Sequence, residues 1–75
     1  MKIFALHDRV TVSSSGGWKN TFAGTIFGGP EPLQTQQGPE GFYWVKFDQP
    51  QQDVSGPDLY EKAQVLSRYL ELQNA

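Results

Sequence analysis

The chain has no cysteine and a single histidine, His7. A disulfide framework is therefore excluded, and so is any thiolate zinc site. One imidazole cannot build the multi-histidine constellations that hold most catalytic metals, so neither a metal site nor a cofactor site is expected. Basic residues are also few. Lys2, Arg9, Lys19, Lys46, Lys62 and Arg68 are scattered without a run or stripe, and the formal net charge is −2. Nucleic-acid binders concentrate basic charge on one face, because phosphate neutralisation supplies most of their affinity; nucleic acid is not an expected partner. Long apolar runs are missing too. The opening Met1–Leu6 stretch is interrupted by Lys2 and stops at His7-Asp8-Arg9, short of the about 7–15 apolar residues of a secretory signal. No stretch reaches membrane-spanning length. The expectation is a cytoplasmic protein without membrane insertion.

What is present must fold with little material. The 75 residues make one domain, 1–75. A chain of this size buries only about 60% of the surface its unfolded form exposes, and small domains compensate with staples or partners. Without cysteines, two routes remain: an efficient core or self-association into a homo-oligomer. Aromatic residues favour the first. Phe4, Trp18, Phe22, Phe27, Phe42, Tyr43, Trp44, Phe47, Tyr60 and Tyr69 can each bury roughly 150–250 Å², although so small a domain cannot hide all ten rings.

Strand signals dominate. Arg9-Val10-Thr11-Val12 alternates with period two and reads as a half-buried strand, ended by the turn signal Ser13-Ser14-Ser15-Gly16-Gly17. Thr21–Phe27 is the second strand, with Phe22, Gly24 and Ile26 on one face and Ala23, Thr25 and Phe27 on the other. Gly24 reads as the bend that closes a small sheet. The stretch Gly28–Gly41, with Pro30, Pro32, Pro39 and one large apolar residue, Leu33, reads as a long loop between strands 2 and 3. Phe42–Phe47 is the strongest strand, ended by the polar turn Asp48–Asp53. Val54–Tyr60 holds a short strand interrupted by Pro57, placed at an edge. Tyr60–Leu72 fits helix and strand spacing alike, and is read as a helical turn around Ala63–Ser67 before a short last strand. The fold class is all-β: a small, strongly bent barrel of about five strands.

The order of these features resembles the SH3-like barrels. Asp8-Arg9-Val10-Thr11-Val12 leads to a Ser/Gly turn and Trp18; then come Gly24-Thr25-Ile26, a long loop, Val45-Lys46-Phe47-Asp48, and a terminal Leu66-Ser67-Arg68-Tyr69-Leu70-Glu71-Leu72. This is similar to the electron-transport accessory proteins, photosystem I reaction-centre subunit IV and the variable chain of ferredoxin–thioredoxin reductase. That resemblance implies a small barrel that docks onto another protein, a redox or multi-subunit complex, and holds no cofactor itself. A second resemblance, by fold, is to the type II dihydrofolate reductases, through Asp8-Arg9-Val10, Trp18, Gly24–Gly28, Pro39–Phe42 and Tyr60, Ala63, Leu66 and Arg68. Those enzymes are tetramers around a pore lined by Val-Gln-Ile-Tyr. Here the matching stretch is Pro57-Asp58-Leu59-Tyr60, and four Asp58 carboxylates around one pore would repel an anionic dinucleotide. The resemblance implies a shared fold, with a self-associating enzyme as the alternative function.

No catalytic constellation emerges. The carboxylates fall mostly in turns, where they cap or solvate. His7 and Asp8 point to opposite faces if the strand is extended there. Ser13-Ser14-Ser15 has no evident base, and Gly28-Gly29 lacks the spacing of a phosphate loop. Binding is better represented. Both faces of Phe42–Phe47 carry rings: if Tyr43, Val45 and Phe47 face the core, Phe42 and Trp44 lie outside. Exposed rings with polar rims mark interaction surfaces, unless the Gly28–Gly41 loop folds back over them. Trp18 and Tyr60 extend the candidate set, since an aromatic groove with Trp44 would suit an extended peptide. The expected function is a non-catalytic accessory protein binding another protein through Trp18, Phe42, Trp44 and Tyr60.

Overall fold

The computed structural model describes residues 3–73. Five antiparallel strands form one sheet: β1 (Arg9–Val12), β2 (Phe22–Thr35), β3 (Gly38–Gln52), β4 (Leu59–Leu66) and β5 (Leu70–Leu72). Their order is β4-β3-β2-β1-β5, so the sheet is open, with β4 and β5 at its edges. Two single 3₁₀ turns, Ser14–Gly16 and Ser67–Tyr69, interrupt the strands.

Alternation selects the core face. Val10 and Val12 of β1, Phe22 and Ile26 of β2, and Tyr43, Val45 and Phe47 of β3 are all buried, joined by Phe4, Val65 and Leu70. Rings meet edge to face within this core: Phe22 and Phe47 at 4.5 Å, Phe4 and Tyr43 at 5.2 Å between centroids. Such pairs contribute about 0.5–1.5 kcal/mol beyond area burial. Trp18 closes the lower end. A β-bridge to Asp53 and the Val54 amide bonding Gly17 O fix the loop beside it, and its indole stands 5.0 Å from the Phe47 ring.

Five expectations need correction. Gly28–Gly41 is not a loop. It forms the outer half of a long β2–β3 hairpin, paired from Glu31↔Phe42 to Thr35↔Gly38. Because Thr35 and Gly38 flank a two-residue turn, they and every second pair behind them carry the ladder hydrogen bonds. Pro32 and Pro39 fall at the intervening positions, where a missing N–H costs the ladder nothing, and Pro30 falls in the register slip, outside the pairing. The bend sits at Gly28–Pro30, where the β2–β3 register slips. Gly29 there has φ +92, and a side chain on it would stand 2.6 Å from Phe42 O.

Gly24, expected at the bend, instead permits close approach: a Cβ there would lie 2.7 Å from both Lys46 O and Val45 Cγ1. The polar stretch Asp48–Asp53 does not end β3, which passes through an irregularity and pairs Gln51 with Tyr60. Finally, Val54–Gly56 is outside the strands, Pro57 precedes β4, and Ala63–Leu66 is strand, not helical turn. Val65 opposite Tyr43 and Ala63 opposite Val45 put two apolar side chains on the core at period two. The helical turn comes next, at Ser67–Tyr69. No helix among the described residues is long and apolar enough to cross a membrane.

Candidate functional site

β3 is central in its ladder, and its even-numbered residues carry the outer face. Trp44 is paired with Gly28 on one side and Gln64 on the other. Its indole lies over Gly28, where an added Cβ would meet Trp44 Cδ1 at 3.2 Å. Phe27 packs beside it, with centroids 5.8 Å apart and planes tilted by 44°. Phe27 is 42% exposed, whereas Trp44 and Phe42 are half-buried. A hydrogen bond from Gln64 Nε2 to Glu31 Oε2 at 2.6 Å borders the patch. The hairpin arm is paired as strand from Glu31 to Thr35, and Leu33 is itself exposed.

The four expected residues therefore divide. Phe42 and Trp44 share the outer face. Trp18 and Tyr60 lie with the core side, 5.9 Å apart in edge contact. Trp18 also touches Phe22 and Phe47, which makes it the end wall of the core. Tyr60 remains 38% exposed at the start of β4. No single groove joins Trp18, Trp44 and Tyr60. Phe27, which alternation puts on the face opposite Phe22 and Ile26, is the partner of Trp44 that the candidate set lacked. Finding it required the β2–β3 register, which the slip at Gly28 disguises.

The same face carries a bidentate ion pair across three strands. Arg9 on β1 donates to both Asp48 carboxylate oxygens on β3 and to Thr25 Oγ1 on β2. The arginine hydrogen bonds hold the Asp48 carboxyl below its ordinary value. At the other end of β3, Ser67, fully buried, donates its hydroxyl to Glu40 Oε1 at 2.7 Å. This bond, assisted by the nearby Arg68 charge, lowers the Glu40 carboxyl. Arg68 in turn donates to Gln37 Oε1 and Thr35 Oγ1, fastening the hairpin tip to the 3₁₀ turn. These polar groups are consumed in tying elements together.

His7 and Asp8 are likewise structural. His7 has φ +73 and is exposed. Asp8 accepts the Ala5 amide at its carboxylate and donates its own amide to Ala5 O, so the pair forms a turn that leads into β1. Among the described residues no three His, Asp or Glu side chains gather to hold a metal ion. Besides the outer face, an apolar hollow of about 330 Å³ lies along the arm between Pro30, Pro32, Leu33 and Pro39. Comparison with protein-family models, with curated proteins and with solved structures finds no match for this chain.

Proposed function

We propose that this chain is a small non-catalytic docking module that binds another protein through the outer face of its sheet, with Trp44, Phe42 and Phe27 as anchors. The observation that carries this reading is the Trp44–Phe27 pair: two large rings in contact on the uncovered side of a sheet whose core already occupies the opposite side. Buried on binding, aromatic anchors of this size dominate interface energetics. Tyr60 extends the surface around the β4 edge, and Trp18 supports it from beneath. The SH3-like reading of the fold is supported by the strand order, by a 3₁₀ turn directly before β5 and by the β1–β5 pairing. A cytoplasmic location accords with it.

The test is affinity capture from the source cell's lysate, comparing the native chain with Trp44→Ala and Phe27→Ser, each checked for folding by circular dichroism. A specific protein retained by the native chain and lost with both variants is the expected result. Equal retention by all three would remove this face from the function.

A further inference from the structure

The outer face carries two cations that make no ion pair among the described residues. Lys46 of β3 and Lys62 of β4 are direct cross-strand partners, so their side chains stand on one face, the side of Trp44, and both are exposed. Like charges set directly opposite one another in a ladder repel. Among the described residues neither lysine has an ion pair. Arg9 has taken Asp48, and Glu31 is engaged by Gln64. Lys46, Lys62, Phe27 and Glu61 line one hollow of about 270 Å³. The hollow thus has two lysines to one glutamate, and Phe27, which packs on Trp44, belongs to its wall.

We infer that the segment docked on this face is acidic and apolar: carboxylates meet Lys46 and Lys62 while an adjoining apolar side chain lies on Phe27 and Trp44. The inference rests on the docking reading above and specifies its partner's chemistry. Opposite charge at the rim steers association and suppresses wrong partners, and here it also relieves the repulsion between the two lysines. A protein segment fits better than a nucleic acid. Polynucleotides gain affinity by having many phosphates neutralised, whereas this face offers two free cations among Glu31, Asp48 and Glu61 on a chain of formal net charge −2.

Fluorescence anisotropy with short labelled peptides tests this. One has glutamates flanking a central Phe-Leu pair, the second has glutamine at those positions, the third has lysine, and a single-stranded oligothymidylate is the fourth probe. The native chain is expected to bind the glutamate peptide at least about tenfold tighter than the glutamine one, with most of that advantage lost between low and high salt. The double variant Lys46→Glu/Lys62→Glu should prefer the lysine peptide, and Trp44→Ala should weaken every peptide. Equal binding of the glutamate and glutamine peptides, both lost in Trp44→Ala, would overturn the acidic partner and leave the docking face standing. Peptide binding indifferent to Trp44→Ala, or no peptide binding at all, would overturn both, and tightest binding of the oligothymidylate would overturn the protein partner.

Discussion

Tyr43 is fully enclosed, yet it carries a hydroxyl, and that hydroxyl is where the Phe4 amide ends, at 2.9 Å. The ring fills the core and its oxygen holds the N-terminal segment against the sheet. Removing the oxygen leaves a buried donor without a partner, which costs about 1–3 kcal/mol. Tyr43→Phe should therefore lower the melting temperature by roughly 4–8 °C for each kcal/mol lost in a domain of this size. It should also raise amide exchange at Phe4. A melting curve identical to the native one would show that water satisfies Phe4 equally well. At this scale the sequence was partly readable. Alternation along Phe42–Phe47 put Tyr43, Val45 and Phe47 on one face and Phe42 and Trp44 on the other, but it offered no sign that the Tyr43 hydroxyl had a duty. That depends on Phe4, a residue 39 positions away in sequence.

The β2–β3 hairpin is the element that the sequence concealed. Three prolines and scattered glutamines imitate a loop, because proline usually interrupts a ladder. What decides the matter is phase: Pro32 and Pro39 fall where the nitrogen points away from the partner strand, Pro30 falls in the slip, and phase depends on a turn at Gln36-Gln37 that has no strong turn residues inside it. The ambiguity at Tyr60–Leu72 was of another kind. Ala63, Val65, Leu66 and Leu70 satisfy both periods, and β4 wins because β3 offers it Tyr43 and Val45 as neighbours. The Arg9–Val12 strand, by contrast, was legible residue for residue, since its two valines alternate with polar groups and a serine run follows. The site suffered from the same gap as the arm: the Trp44–Phe27 and Lys46–Lys62 juxtapositions follow from register, and register follows from the slips at Gly28 and beyond Lys46. Beyond the core, the arm is held by Arg68, at 2.8 Å from Gln37 Oε1 and 2.9 Å from Thr35 Oγ1. Arg68→Ala should speed hydrogen exchange at Thr35–Gly38 while β1 and the inner half of β2 keep their protection. Uniform acceleration across the sheet would show instead that Arg68 serves global stability.

Taken whole, the molecule is tied together by carboxylates on β3 and in the turn just after it. Glu40 meets Ser67 of the 3₁₀ turn, Asp48 meets Arg9 of β1, and Asp53 is bonded by the Ser55 hydroxyl in the turn after β3. All three have lowered pKa values in the folded chain, in each case chiefly through these side-chain hydrogen bonds. A lowered folded pKa means that the unfolded chain binds protons first as pH falls. The stabilisation is complete above the ordinary values, 4.5 for Glu40 and 3.8 for the aspartates, and drains away as pH drops through the lowered ones. Urea midpoints should be level near neutrality and decline below about pH 4.5, with a shallower decline in Asp48→Asn. A midpoint unchanged into strong acid would mean these contacts contribute nothing to folding.

The seam between β1 and β5 has a consequence in time. β2, β3 and β4 are successive neighbours and can zip one after another through short turns, whereas Val10 must find Leu72 from the far end of the chain. Closing so large a loop is entropically costly and pays back late. During synthesis Arg9–Val12 is made before most of the sheet, yet its outer side has no strand to receive until Leu70–Leu72 has been added. The first strand of this sheet is thus among the last to be enclosed, and a chain cut just short of Leu70 would be a meander with one flank of β1 still bare.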